Sequence, residues 1–299
     1  MISIENVSKR FENHYGIKGV STTIDAGSIY GLVGSNGSGK STLLRMIAGV
    51  YRPDAGKIRL DGEVVFEQPA TKERMVYISD DQYTDRSASI EEMAFLYSQF
   101  YPDYDTKMAL DMAKRFGLDT KAKVKSFSKG MTRQAQLILG MAAKPSVMLC
   151  DETFDGLDPV KRRAIKALFS EMVLDHGATI IIASHNLREL EDICDHIGLL
   201  HSGKLVLQRS IEDLESNIFK LQLAFKMLKR EEDFAELSPI AFEQRGRMIS
   251  MIVRGQRENI MDKVDSMHPL YAEALPLTLE EIFITEMGVL GYDVEEIVR

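Results

Sequence analysis

Nine consecutive residues could do more chemistry than any others in the chain. Gly34-Ser35-Asn36-Gly37-Ser38-Gly39-Lys40-Ser41-Thr42 fill every fixed position of the phosphate-binding pattern G-x-x-x-x-G-K-[ST]. Three glycines let the backbone curl so that successive N–H groups point inward at phosphate oxygens, and a helix beginning near Lys40 adds the positive end of its dipole. Lys40 supplies a point charge for β- and γ-phosphates, and the Ser41 hydroxyl is placed to ligate Mg²⁺. A glycine-rich turn that only joined a strand to a helix would need neither the lysine nor the hydroxyl pair of Ser41 and Thr42.

Three further groups of residues follow in order. Ser126-Phe127-Ser128-Lys129-Gly130-Met131 precedes a helical pattern beginning at Thr132, and a serine and a glycine at a helix start can seek an anion, although they also cap ordinary helices. Val147-Met148-Leu149-Cys150-Asp151-Glu152 is a buried-strand run ending in two carboxylates. One acid in that position can hold Mg²⁺, and the second can orient an attacking water. Finally, Ala178-Thr179-Ile180-Ile181-Ile182-Ala183 delivers Ser184-His185 at the carboxyl end of another strand, where a histidine beside a phosphate site can sense a γ-phosphate.

The elements that must position these groups are those of an α/β chain. The apolar run Ile29-Tyr30-Gly31-Leu32-Val33 leads into the phosphate loop, and Leu43-Leu44-Arg45-Met46-Ile47-Ala48 continues it as a helix. Residues 2–10 alternate like an edge strand and reach Phe11, with Tyr15 close behind. Either ring could stack on a purine at the mouth of the loop. Met75-Val76-Tyr77-Ile78 is a further strand running into Ser79-Asp80-Asp81-Gln82. From about 90 to 145 the periodicity turns helical, with Met108, Met112, Ala113 and Phe116 at three- and four-residue spacing.

Composition bounds the class. With 44% hydrophobic and 27% charged residues the chain reads as an ordinary globular protein, and its net charge of −8 argues against a nucleic-acid partner, which calls for a basic face. Cys150 and Cys194 sit among apolar neighbours and read as buried thiols in a reducing compartment. The N-terminal residues lack the layout of a signal peptide, and no apolar run approaches the ~20 residues of a membrane span. A role at a membrane would therefore require a partner to supply the spans.

Taken together, the phosphate loop, the helical insert, Ser128-Lys129-Gly130-Met131, Asp151-Glu152, Gly156-Leu157-Asp158 and His185 resemble, in that order, the ATP-binding subunit of ATP-binding-cassette transporters. The signature Ser-Lys-Gly-Met and the stretch Gln99-Phe100-Tyr101-Pro102-Asp103-Tyr104-Asp105 are similar to the single-cassette, ABC-2-type exporter subgroup. The resemblance implies a P-loop NTPase cassette over residues 1–215, with the helical insert inside it, and ATP and Mg²⁺ as cofactors.

It further implies that Phe11 stacks on adenine, with Tyr15 as the alternative. Gly34, Asn36, Gly37, Ser38, Gly39, Lys40, Ser41 and Thr42 would bind the triphosphate. Ser41 and Asp151 would hold Mg²⁺, Glu152 would polarise water, and His185 would act as the switch histidine. Ser128 and Gly130 would complete the site of a second nucleotide-binding subunit, with Asp158 communicating across the pair, which implies a two-fold homodimer. Transmembrane permease subunits would be the other partners, placing the chain on the inner face of the cell membrane. One position departs from the pattern: where a glutamine is usual there stands Asp80, with Gln82 two residues on. Asp80 could reach Mg²⁺ or the attacking water, and either Asp80 or Gln82 could couple nucleotide state to the permease.

Residues 216–299 read as a small α+β accessory domain. Phe219-Lys220-Leu221-Gln222-Leu223-Ala224-Phe225 alternates as a half-buried strand, the charged stretch 226–236 reads as helical, 247–253 as a strand and 259–267 as a helix. Thr278-Leu279-Glu280-Glu281 reads as a capping box opening a helix that stops at Gly288. No metal-ligand spacing occurs among the histidines, so no metal beyond nucleotide-bound Mg²⁺ is expected. A soluble cassette ATPase acting on ribosomes or DNA is the alternative function. Such proteins carry paired cassettes or a long coiled coil, and this sequence has neither.

Overall fold

Hydrophobic runs of five or six residues, bounded by glycines and acids, set the architecture of the computed structural model, which describes residues 1–12, 14–79 and 85–289. The chain divides into two compact units, Met1–Gln208 and Arg209–Arg299.

In the first unit, β1 (Ile2–Phe11) and β2 (His14–Ile24) form an antiparallel pair, and β3 (Ile29–Val33) follows, buried along its whole length. The phosphate loop then leads to α1 (Lys40–Ile47). Next come β4 (Ala55–Leu60), β5 (Glu63–Val64), the short α2 (Pro69–Lys72) and β6 (Met75–Ile78). The helical insert comprises α3 (Ile90–Ser98), α4 (Thr106–Arg115) and α5 (Lys129–Met141). Then β7 (Val147–Asp151), α6 (Pro159–His176), β8 (Thr179–Ser184), β9 (His196–His201) and β10 (Lys204–Ser210) complete it.

Two sheets result. One has the order β2-β1-β4-β5, the other β10-β9-β3-β8-β7-β6. In the second, β3 runs parallel to both β8 and β9, β8 to β7 and β7 to β6. Their register places Val33 beside Ser184 and Asp151 beside Ala183. The carboxyl ends of β3, β7 and β8 therefore meet at one edge, the place where open α/β sheets bind ligands. Leu43, Leu44, Met46 and Ile47 of α1 pack with Leu32, Leu149 and Ile181 into a single core beneath that edge. Each such side chain contributes roughly 1.5–3 kcal/mol of hydrophobic stabilisation, so the loop above them is held by its neighbours rather than by its own few bonds.

The helices start where side chains satisfy orphan amides. Ser89 and Glu92 make a reciprocal capping box on α3. The Asp105 carboxylate accepts from Met108 N at 2.9 Å at the start of α4. Ser128 caps α5, accepting from Met131 N at 3.2 Å, so that helix begins at Lys129 and not at the expected Thr132. The Ser-Lys-Gly-Met stretch is thus the cap and first turn of α5.

The second unit contains α7 (Ile211–Asn217), β11 (Ile218–Ala224), β12 (Ala241–Arg245), β13 (Met248–Arg254), α8 (Arg257–Ser266), β14 (Tyr271–Pro276) and α9 (Leu279–Val289). Its antiparallel sheet has the order β12-β13-β11-β14, and Leu221, Leu223, Phe234, Met251 and Val264 form its core. Two strands, β12 and β14, occur where no element was expected. The charged stretch 226–236 contains only a 3₁₀ segment, Glu231–Leu237, preceded by non-helical residues. The capping box of Thr278 and Glu281 opens α9 as expected.

Candidate nucleotide site

The loop after β3 runs so close to its neighbours that two positions, Gly34 and Gly39, have no room for a Cβ, Gly34 because it would lie 2.2 Å from the Leu200 carbonyl oxygen. Gly39, the residue before α1, has φ +112°, and a Cβ there would lie 2.4 Å from the Gly16 carbonyl oxygen. Any larger residue would push the loop off β2. Lys40, 5% exposed, turns back under the loop: its Nζ donates to Gly34 O at 2.7 Å and Ser35 O at 3.2 Å, and lies 3.3 Å from Glu152 Oε1. Ser38 is buried, and its Oγ has no partner among the described residues.

A cavity of about 390 Å³ opens over this loop. Asn36, Gly37, Gly39, Lys40, Ser41, Thr42 and Arg45 form its floor, Asp151 and Glu152 one wall, and Phe11, His14, Tyr15 and Gly16 the other end. The Phe11 ring stacks near His14, with centroids 5.9 Å apart, and meets Tyr51 edge-on at 5.6 Å. Tyr15 is half exposed with Arg10 over its ring, so both candidate aromatics stand at the mouth. Volume, shape and charge suit a nucleoside triphosphate, with a ring end and a cationic, amide-rich end.

Asp151 is 1% exposed; its Oδ2 accepts from the Tyr77 hydroxyl at 3.2 Å, while Oδ1 has no partner among the described residues. Burial pushes its carboxyl above the usual range, and the Ser41 and Tyr77 hydroxyls oppose that rise. A buried carboxylate oxygen left without a donor, beside a serine hydroxyl, is the hard-oxygen donor set that Mg²⁺ takes. Ser41 and Asp151 therefore fit the ion. Asp80 and Gln82 lie outside the described residues.

The raised carboxyl has a consequence for stability. The folded, nucleotide-free chain holds the Asp151 proton more tightly than the unfolded chain, so this group's stabilising contribution exists at low pH and is lost as pH rises through the raised value. Asp151→Asn, which cannot ionise, is expected to raise the Tm of nucleotide-free protein by ~2 °C at mildly alkaline pH, with no gain in acid. A Tm at or below wild type in alkaline calorimetric scans would refute this.

Glu152 takes φ +49°, a left-handed conformation that costs a non-glycine residue of order 1 kcal/mol. Its N–H donates to Ala183 O at 2.9 Å, tying the turn to β8. Its two carboxylate oxygens then face opposite partners, with Oε1 toward Lys40 and Oε2 2.9 Å from His185 Nδ1. Glu152 and His185 are thereby brought together. Asp155 joins them: one ligand atom from each of Glu152, Asp155 and His185 lies within 4.8 Å of the others. No spacing in the sequence pointed to this group.

Ser128, Gly130 and Asp158 do not line the cavity of their own chain. They sit together elsewhere. A Cβ on Gly130 would approach the Gly156 carbonyl oxygen to 2.7 Å, so glycine lets the first turn of α5 lie against the loop before α6. That loop ends at Asp158, whose carboxylate caps α6 by accepting from Lys161 N at 2.9 Å. Nothing in the local sequence marks Tyr77, Arg45 and His14 as residues of the site. Tyr77 reaches Asp151 across 74 residues of sequence, which no local pattern announces.

The chain resembles known proteins in sequence and in fold. The ABC transporter family model matches residues 17–155. The ABC transporter ATP-binding protein YtrB of Bacillus subtilis is 30% identical over 292 residues, covering 96% of this chain and 98% of that protein. The Nod factor export ATP-binding protein I of Burkholderia lata is 32% identical, covering 69% of this chain and 70% of that protein. A dimeric structure of MJ0796, a bacterial ABC transporter cassette, shares the fold with a TM-score of 0.65 at 20% identity, over 71% of this chain and 99% of that one. With a relative matched over nearly its whole length and the site laid out as above, the chain belongs to the ABC transporter family as one of its ATP-hydrolysing, energy-coupling ATP-binding subunits.

Proposed function

We propose that this subunit hydrolyses Mg²⁺-ATP within a homodimer and drives export through separately encoded permease chains on the inner face of the cell membrane. The observation that carries the reading is the unbroken line Lys40, Glu152, His185 at one edge of the sheet, beside the phosphate loop. Lys40 neutralises the transferred phosphoryl group, Glu152 accepts a hydrogen bond and then the proton from the attacking water, and His185 holds Glu152 in place before nucleotide binds. Mg²⁺, held by Ser41 and Asp151, would neutralise charge on the phosphates.

The separation of Ser128, Gly130 and Asp158 from the cavity supports a two-fold arrangement in which each chain's α5 start closes the other's site. Export is supported by the ABC-2-like signature at Ser128 and by the likeness to the Nod factor export protein. Among the described residues no helix is long and apolar enough to cross a membrane, so the permease would supply the spans.

The docking surface for that permease is a groove of about 720 Å³ between α2 and α3, floored by Pro69, Leu96, Tyr97, Phe100 and Tyr101 and rimmed by Glu67, Lys72 and Glu73. Phe100 is 66% exposed and Leu96 52%, with Phe95 beside them. An apolar, aromatic groove with a charged rim suits an amphipathic cytoplasmic helix of a membrane protein. Phe100→Asp with Leu96→Asp is expected to leave basal ATP turnover within about twofold and to reduce recovery of the permease with the tagged chain at least about tenfold. Undiminished recovery would dismiss the groove.

The test of the whole proposal is capture of tagged Glu152→Gln chain from gently solubilised native membranes with ATP present. Recovery of a multi-spanning membrane protein supports it. Recovery of ribosomal or DNA-bound proteins alone overturns it in favour of the soluble class.

A further inference from the structure

We infer that Asp155 is a positioning residue for hydrolysis: a second carboxylate that holds the His185 imidazole when Glu152 must turn to water. The inference rests on the roles given above to Glu152 and His185.

The placement begins with the backbone. Glu152's left-handed turn lets Asp155 N donate back to Glu152 O at 3.3 Å, which folds 152–155 into a tight turn and returns Asp155 to the side of Glu152. Phe154, 1% exposed, anchors the turn against Phe169, and Lys166 sits over its ring at 5.8 Å. On the other side, Gly156 lies against Gly130. Asp155 is thus fixed from both ends, half-buried, with its carboxylate within 4.8 Å of both the Glu152 carboxylate and a His185 ring nitrogen.

The electrostatics give that placement a purpose. No lysine or arginine among the described residues pairs with Asp155. Two carboxylates this close repel unless a positive or hydrogen-bonding group stands between them, and His185 is the group at hand. Glu152 is bonded at both oxygens, to Lys40 and to His185. Oε2 also accepts from the His185 backbone N–H at 3.4 Å, so both of its lone pairs face His185 while Oε1 faces Lys40, and water must compete with these partners for Glu152. With Lys40 turned to phosphate and His185 drawn to Asp155, directly after a side-chain rotation or through one water, Glu152 is released for the reaction. A neutral residue at 155 would leave His185 on Glu152.

The test uses the full chain. Asp155→Asn and Asp155→Ala are expected to lower kcat about tenfold with the KM for ATP within about twofold, and Asp155→Glu to recover most of the loss. In parallel, ¹⁵N spectra of the imidazoles with Mg²⁺ and a non-hydrolysable ATP analogue bound, with His185 assigned through His185→Gln, should show its ring resonances displaced in Asp155→Asn relative to wild type, by more than in nucleotide-free protein, where His185 lies on Glu152 in both. The inference fails if Asp155→Ala keeps kcat within twofold, if Asp155→Glu loses as much as Asp155→Ala, or if the His185 resonances do not move. Those failures concern Asp155 alone when Glu152→Gln is inactive. Wild-type turnover by Glu152→Gln would instead remove the reading of the site beneath it.

Discussion

Glu152→Gln is expected to bind ATP at least as tightly as wild type, to hydrolyse it about 10²–10³-fold more slowly, and to form a dimer that persists only with ATP. The substitution keeps the size and the backbone of the residue. Its N–H still donates to Ala183 O, so the left-handed turn that aims the side chain survives. What changes is charge. Glutamine cannot take a proton from water, and it no longer pairs with Lys40 Nζ 3.3 Å away, which leaves that cation free for phosphate. Binding and hydrolysis therefore separate. Turnover assays with size-exclusion chromatography in ATP and in ADP read both. Wild-type turnover would remove Glu152 from the chemistry, and lost binding would mean the Glu152–Lys40 pair builds the site rather than regulating it.

That separation depends on residues read from the sequence with unequal ease. The phosphate loop, Asp151, Glu152 and His185 were legible because each stands at the end of an apolar run, and parallel strands that end at one edge bring their terminal residues together whatever their spacing. Ser128 was legible as a helix start but was set too far ahead of its helix, because Gly130 argues against an early helical turn while the Ser128 cap and the packing against Gly156 favour one. Asp155 carries no such signal: its placement comes from a turn made by the left-handed Glu152, and nothing in 153–155 announces such a backbone. Tyr77 is one residue of a short strand by sequence, although its hydroxyl bonds Asp151. In the second unit, β12 is short and largely polar and β14 ends in Pro276, so neither carries the alternation that marked β11. The charged run before β12 promised a helix by composition, yet it spends only seven residues in a 3₁₀ turn whose one buried anchor pair is Phe234 and Leu237.

The largest loss of binding should come from Lys40→Ala. Lys40 is the cation of the cavity that is most enclosed, and its Nζ serves three oxygens at once, those of Gly34, Ser35 and Glu152. Removing it takes away the charge that faces the phosphates, leaves two loop carbonyls without their donor, and strands the Glu152 carboxylate, which is only slightly exposed, beside them. All three effects oppose a triphosphate, the last because an uncompensated carboxylate repels it. ATP affinity is expected to fall about 100-fold, or ~2.7 kcal/mol, with turnover below detection. Fluorescent-nucleotide titration measures the first. The double variant Lys40→Ala with Glu152→Gln then divides the causes. If the stranded carboxylate contributes to the loss, the double variant binds more tightly than Lys40→Ala alone and melts at a higher temperature, with Glu152→Gln gaining more in the Lys40→Ala background than in wild type, where independent residues would show no such difference. Equal affinities would leave the missing ammonium as the whole cause, and an affinity within twofold of wild type for Lys40→Ala itself would place the phosphates away from the loop altogether.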